Sequence, residues 1–221
     1  MRSEILVIVM SVLLLTASSC RRRPPPDFPI PGLQAAEVPG QTSLPPSVES
    51  AIRQKGEAIA SNAFGVLSSQ LGKSIAQAGY TNAIEFCSVH GITFTKAVGV
   101  TNRVILRRVT HRARNPQNQA DTNEVAIIQK FQSDLSKGVS PRPLIGTNKP
   151  GLFTYYAPIT VQLPLCLSCH GKPADDIHRD TLAQIKAMYP NDEATGFKMG
   201  ELRGLWSIDF KRSDFPPPPD K

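Results

Sequence analysis

The chain has 221 residues with a formal net charge of +7, 20 prolines, four cysteines and four histidines. Between its proline-rich ends about 165 residues remain, enough for one domain with a substantial core but not for two. The basic charge does not indicate a nucleic-acid-binding protein, because three arginines are consecutive near the N-terminus and no basic patch is interleaved with aromatic residues. A membrane surface or an acidic redox partner is the better counterpart for this charge.

The N-terminus carries an export pattern. Residues 5–15 form an apolar stretch too short to span a bilayer comfortably, and small residues at 17–19 precede Cys20. We predict a lipoprotein-type signal peptide over 1–19, with Cys20 as the lipidated first residue of the mature chain. Residues 20–46 predict a proline-rich tether, and 214–221 a disordered tail. The expected location is periplasmic, exported and anchored to a membrane.

One feature opposes export. Arg21, Arg22 and Arg23 directly follow the apolar stretch, and basic flanks usually stay in the cytoplasm. Taken alone, they would favour an uncleaved segment in the reverse orientation. We favour export because the signal pattern, Cys20 and the cysteine motif at 166–170 support one another.

Two helices are predicted next. Apolar residues recur at helical spacing over 47–78, and Gly79 stands where a helix would stop. A homodimer through this first helix is left open. A second helix over 81–98 places Ile84, Cys87, Gly91 and Val98 on one stripe, which predicts that Cys87 is central on the buried face.

The next segments predict a strand, a turn and a capped helix. Branched residues among arginines over 103–110 favour a strand, and 114–118 have turn chemistry. Asp121 with Glu124 three residues later predicts a capping box, followed by a helix that ends near Gly138. A further strand is predicted over 152–161, where Pro158 favours an edge or a bulge.

The segment Cys166-Leu167-Ser168-Cys169-His170 is the attachment signature of a c-type haem. Each thiol forms a thioether with one haem vinyl group, and the adjacent imidazole becomes an axial ligand of the iron. The same thiol pair could instead form a redox disulfide. Cys87 and His90 could also complete a Cys3His zinc site with Cys166 and Cys169, although that leaves His170 unused. Haem is the preferred interpretation.

A short helix after the motif, begun by His178, and a strand over 203–210 complete the element order. The predicted order is two helices, a strand, a helix, a strand, a loop that carries the cysteine motif, a short helix and a strand. This mixture predicts a small α+β domain over 47–213. The pattern does not match the all-helical plan of ordinary small cytochromes c.

Several separate stretches together resemble the Tll0287-like haem domain family. The resemblance implies a PAS-like antiparallel sheet with a long N-terminal helix and flanking helices, one covalent haem c, and the cysteine of the first stretch, Cys87, as second axial ligand. His111 departs from the family pattern, where this position tends to be apolar. The matching stretches are 83–87, 114–116 with Asn118, Asp121 and Glu124, 156–159, 166–171, 189–190, Asp192, 194–196, Gly200 and 203–204.

The residues alone leave the sixth iron ligand open, because a cysteine on an apolar helix face is most often part of the core. Its stripe position and the family resemblance favour Cys87. Arginines near the motif could neutralise the haem propionates by bidentate pairing, and Arg114 is preferred because its turn is rigid. The ligand candidates are Cys87, His90, His111, His178, Met188 and Met199, and the propionate candidates are Arg107, Arg112, Arg114 and Arg203.

A thiolate opposite histidine stabilises ferric iron and lowers the reduction potential. We therefore expect a membrane-tethered monohaem cytochrome acting in electron transfer or redox sensing with an unidentified redox or signalling partner protein. No catalytic constellation is recognisable, so we expect no enzyme activity. A sensor of a diatomic gas and a zinc-binding structural domain are the alternatives.

Overall fold

The computed structural model describes residues 43–217. The predicted signal peptide, Cys20, most of the tether and the last four residues of the predicted tail lie outside this range. Among the described residues, none of the helices combines the length and apolar content needed to cross a membrane.

Helix α1 covers Pro46–Thr101 and is interrupted at Gly79, where φ is +76° and ψ is 179°. Two predicted helices separated at Gly79 are therefore confirmed. The conformation at Gly79 has a positive φ, which glycine adopts without the steric cost of a Cβ. Pro46 starts the helix, where the missing N–H has no helical partner to lose.

One antiparallel sheet has the strand order β1-β4-β3-β2. Its strands are β1 Ile105–Val109, β2 Leu144–Gly146, β3 Leu152–Thr160 and β4 Leu202–Lys211. The strands predicted at 103–110, 152–161 and 203–210 are thus present, whereas β2 was not predicted.

The prediction for Pro158 is also confirmed. Strand β2 pairs with β3 only as far as Tyr156, so Pro158 faces no partner on that side. The register of β3 with β4 shifts just beyond it, between Ile159 and Thr160. A proline costs no ladder hydrogen bond at such a position.

The two sheet faces carry separate cores. On one face α1 packs through residues such as Ile52, Ile59 and Val98 against Leu106 and Ile208. On the other face α2, Thr122–Ser136, packs against the sheet through residues 127, 128 and 131. Helix α2 starts at the predicted capping box, since the Asp121 carboxylate accepts from the Glu124 N–H and Glu124 accepts from the Asp121 N–H.

Two short helices lie between β3 and β4, namely α3 Pro164–His170 and α4 Arg179–Met188. His178 precedes α4 as its N-cap, as predicted. The fold is α+β with a long N-terminal helix and an antiparallel sheet, which agrees with the PAS-like class expected from the sequence.

Candidate functional site

The cysteine motif forms helix α3 and is not the loop that the sequence predicted. Pro164 at its first turn is compatible with a helix start, and Gly171 ends it. The helix brings residues 166, 169 and 170 to neighbouring positions, because residues three and four apart share a face. A Cβ at Gly171 would lie 2.5 Å from the Asp176 Cβ, so a glycine lets the following turn approach the helix end.

The imidazole of His170 is fixed by the backbone of the segment before β4. Its Nδ1 lies 2.8 Å from the Ala194 carbonyl oxygen, and that contact requires a proton on Nδ1. The 3.4 Å approach of the Arg203 Nε is longer and does not change this assignment. Nε2 therefore carries the free lone pair, which is the state needed to bind a metal.

Burial, with Arg203 and Arg114 nearby, holds the pKa of His170 well below its usual range. Loss of hydration disfavours the imidazolium, and the two guanidiniums repel a further positive charge. The Phe197 ring meets the imidazole edge-on, with centroids 6.3 Å apart. His170 is thus a neutral imidazole with a defined tautomer.

The two motif thiols face different small cores. Cys166 packs beside Val161 and Phe197, whereas Cys169 packs beside Ile84 of α1 and residues of α4. Burial raises the pKa of Cys169 to about 11, so its thiol is protonated at neutral pH. Both cysteines are free thiols, as is Cys87, so the structure has no redox disulfide among them.

Cys87 lies near this motif, but its predicted burial is wrong. Its neighbours on the helical stripe, Ile84 and Gly91, are buried, whereas Cys87 is exposed. The elements packed against α1 touch the helix on either side of this position without covering it. The surrounding protein still desolvates the thiol and raises its pKa, against an opposing effect of Arg108 and Arg114.

Electrostatics link Cys87 to the motif. The charge of a Cys87 thiolate raises the pKa of Cys169, and Arg114 acts on both cysteines and on His170. The residues that the sequence predicted as haem ligands are therefore brought to one region of the fold, although they come from α1 and α3.

Arg114 ties that region together. Its Nε and Nη2 donate to Asp192 at 3.0 and 3.1 Å, and Nη2 also donates to the Cys169 carbonyl oxygen at 2.7 Å. The two charged side chains are only 11% and 7% exposed. Asp192 also accepts from the Ala194 N–H at 3.0 Å. One ion pair thus holds both α3 and the carbonyl that orients His170.

Two further predicted arginines have partners in the protein. Arg203 donates to the Thr110 hydroxyl and the Arg112 carbonyl oxygen, and burial, with nearby cations, lowers its pKa to about 9. Arg112 donates to the carbonyl oxygens of Glu193 and Thr195, and its guanidinium lies 4.2 Å from the Phe197 ring centroid. Arg112 thus fastens the segment that follows α4, whereas Arg203 joins β4 to the residues that follow β1.

Arg107 was predicted beside the haem, and the structure places it elsewhere. It forms an ion pair with Glu124, which is fully buried on the α2 face of the sheet. Side chains alternate along a strand, so Arg108 points to the α1 face instead. Arg108, which is not among the predicted arginines, is the electrostatic neighbour of Cys87. The burial of Leu106 on the α1 face could have indicated it.

The remaining ligand candidates have other environments. His90 lies between two phenylalanine rings along α1, Met188 ends α4 and packs against a small apolar cluster, and Met199 is 47% exposed. His111 lies 3.4 Å from Gln132, and burial lowers its pKa. Over residues 43–217, no group of three or more His, Cys, Asp or Glu side chains could hold a metal ion. The Cys3His zinc alternative therefore gains no support.

Comparison with known proteins found one similar family and one similar solved structure. A family model described as Tll0287-like matches residues 42–210. Among solved structures, the crystal structure of the cyanobacterial heme-protein Tll0287 is similar, with a TM-score of 0.53 and 24% identity over 76% of this chain and 98% of that chain. At this identity the likeness shows the fold. No curated protein matches significantly.

Proposed function

The chain belongs to the Tll0287-like family, and we propose that it is a monohaem c-type cytochrome with thioether bonds to Cys166 and Cys169. In this proposal His170 and Cys87 are the axial ligands of the iron. The motif on α3 supplies both thiols and the imidazole. The similar solved structure is that of a heme-protein, which supports the same assignment.

The state of His170 carries the proposal. Its Nδ1–H is engaged by the Ala194 carbonyl oxygen at 2.8 Å, and its pKa is lowered, so Nε2 is an unprotonated donor. A histidine on a protein surface has no need for such constraints. A metal-binding histidine does, because the hydrogen bond on one nitrogen fixes the orientation of the other.

Cys87, on helix α1, is the candidate for the second axial ligand of the iron. It is exposed next to the motif and has a free thiol; desolvation raises its pKa, and Arg108 and Arg114 partly offset that effect. A bound haem would supply one-electron chemistry, and a thiolate ligand would favour the ferric state and a low potential. The protein's part is to hold the imidazole and to supply the thiolate.

Such a centre suits electron transfer or redox sensing without substrate turnover. The hydrogen bond that fixes the His170 imidazole favours electron transfer, because ligands held in place rearrange little between oxidation states. Loss of Cys87 on reduction would instead favour a sensor, including one for a diatomic gas. Reduced protein exposed to carbon monoxide separates the two: an electron carrier keeps its reduced spectrum, and a sensor forms a carbonyl adduct. Measurable peroxidase turnover would contradict the non-enzymatic role.

We further propose that Cys20 carries the lipid that tethers this domain to the outer side of a membrane. The support is the sequence pattern before Cys20 together with the haem motif, since haem c is assembled on the exported side in bacteria. Metabolic labelling with a radioactive fatty acid should label the wild-type chain and not Cys20→Ser.

The haem proposal is tested with the full chain expressed beside a working cytochrome c maturation system. After denaturation and washing with acid acetone, the polypeptide should stay coloured and carry the added mass of one haem. Colourless protein of unchanged mass would overturn the proposal. Cys87→Ala should change the ferric absorption and resonance Raman spectra, whereas Val89→Ala, at an exposed neighbouring position, should not. An unchanged ferric spectrum in Cys87→Ala would remove this residue as a ligand.

A further inference from the structure

Arg108 is the arginine near the cysteine motif whose guanidinium has no hydrogen-bond or ion-pair partner among residues 43–217. Arg112, Arg114 and Arg203 all donate hydrogen bonds to protein acceptors, and Arg107 pairs with Glu124 on the other sheet face. Arg108 forms neither a hydrogen bond nor an ion pair with any described residue. A guanidinium offers five donors, and leaving them unmatched in a half-buried position is unfavourable.

The backbone directs this side chain towards Cys87. Leu106 and Arg108 share the α1 face of β1, since side chains alternate along a strand. The Arg108 Nη2 lies 3.4 Å from the place that a Cβ at Gly91 would occupy. Gly91 is one helical turn after Cys87, so the guanidinium rests on the same face of α1 as the proposed ligand.

No carboxylate within residues 43–217 pairs with Arg108. Its electrostatic neighbours are the Cys87 thiol and the Tyr189 phenol, and neither is a carboxylate. Asp192, a carboxylate of the arginine cluster, is already held by Arg114 through two contacts. Arg108 thus keeps guanidinium donors that no carboxylate of the described residues fills.

We propose that Arg108 binds a propionate carboxylate of the haem, and thereby positions the haem against the α1 face. This inference rests on the proposed function. A planar guanidinium matches a carboxylate through two parallel hydrogen bonds, and a haem carries two such carboxylates. Arg108 of β1 thus takes the propionate-binding role predicted for Arg114, because Arg114 is already paired with Asp192.

The test labels the propionates alone. Full-length protein is matured in cells fed δ-aminolevulinate with carbon-13 at its carboxyl carbon, which labels haem only at the two propionate carboxyls. Redox-induced infrared difference spectra are compared for wild type, Arg108→Gln, Arg108→Lys and Arg103→Gln. Arg103 is exposed beyond the end of α1, and its substitution makes the same charge change far along the helix from Cys87.

The labelled carboxylate band should shift in Arg108→Gln, and a protonated carboxyl band should appear at mildly acidic pH, because the unpaired propionate becomes easier to protonate. Arg108→Lys should shift the band less and suppress the protonated form, and Arg103→Gln should match wild type. Should Arg108→Gln fail to mature, the lysine variant decides the matter, since bands identical to wild type contradict bidentate pairing.

Two other results would overturn the inference. Unchanged labelled bands in Arg108→Gln, accompanied by a shifted iron–sulfur stretch, would assign Arg108 to the Cys87 thiolate instead. Unchanged bands with an unchanged stretch would remove it from the site altogether. Failure of the proposed function is distinct, because wild-type protein would then show no labelled haem at all.

Discussion

Replacing Asp192 by alanine tests how the site is held together. The substitution removes two contacts to the Arg114 guanidinium, at 3.0 and 3.1 Å, and the acceptor of the Ala194 N–H. Both charged side chains are nearly buried, at 11% and 7% exposure. Removing one partner of such a pair leaves an uncompensated charge in a poorly hydrated place, which costs about 3–5 kcal/mol.

A matched control lies on the surface of α2. Asp134 makes two contacts of 2.7 Å to Lys130, which are shorter than those of the buried pair, but the lysine is 42% exposed. Exposed pairs one helical turn apart contribute about 0.3–0.5 kcal/mol. Asp134→Ala therefore removes an ion pair but leaves the remaining charge of Lys130 in water. A larger loss of stability in Asp192→Ala would then be due to burial of the unpaired charge.

Urea denaturation followed by circular dichroism measures the difference. With an m value of about 2 kcal/mol per M, the midpoint of Asp192→Ala should fall by about 2 M, and that of Asp134→Ala by about 0.2 M. Asp192→Asn should lie between them, because its amide oxygen still accepts from the Ala194 N–H. Equal midpoints for the two alanine variants would refute the reasoning that Arg114 depends on Asp192.

Two further predictions concern the sheet and α1. Gly56→Ala should lower the melting temperature, because the new Cβ would lie 2.5 Å from the Tyr155 ring and overpacking costs about 1–3 kcal/mol. Gly65→Ala should raise it, because a Cβ at that position would have nothing within 4 Å and alanine favours the helix. Equal melting temperatures of the two variants would contradict this packing. Burial raises the pKa of Tyr155 and Tyr156 to about 12. Because the unfolded phenols ionise first, at about pH 10, stability should be constant below that pH and fall towards pH 12 in urea melts, less steeply in Tyr156→Phe.

Local signals in the sequence predicted most of the elements correctly. The break at Gly79 and the capping box of Asp121 and Glu124 depend only on neighbouring residues, and both are present. Strand β2 escaped prediction because three residues carry no measurable alternation. It is a strand only because β3 offers it a pairing edge.

The site was less predictable because distant segments decide it. A helical stripe gives the direction of Cys87 but not which part of α1 other elements cover, so its burial was predicted wrongly. The choice between Arg107 and Arg108 depends on which sheet face α1 packs against, and only the buried Leu106 reveals it. The Ala194 carbonyl leaves no trace in the sequence, because any residue supplies one.

The two sides of the proposed haem site differ in rigidity. On the His170 side, backbone hydrogen bonds join the segment around Ala194 to the motif, with Gly196 N–H donating to Gly171 O at 2.7 Å and Phe197 N–H donating to His170 O at 2.9 Å. On the other side, Cys87 is an exposed residue of α1, and no hydrogen bond from another described residue holds its side chain. A change of ligation on reduction would therefore occur at Cys87. If its spectrum shows thiolate retained in both oxidation states, the bound iron itself holds that side, and electron transfer follows as the function.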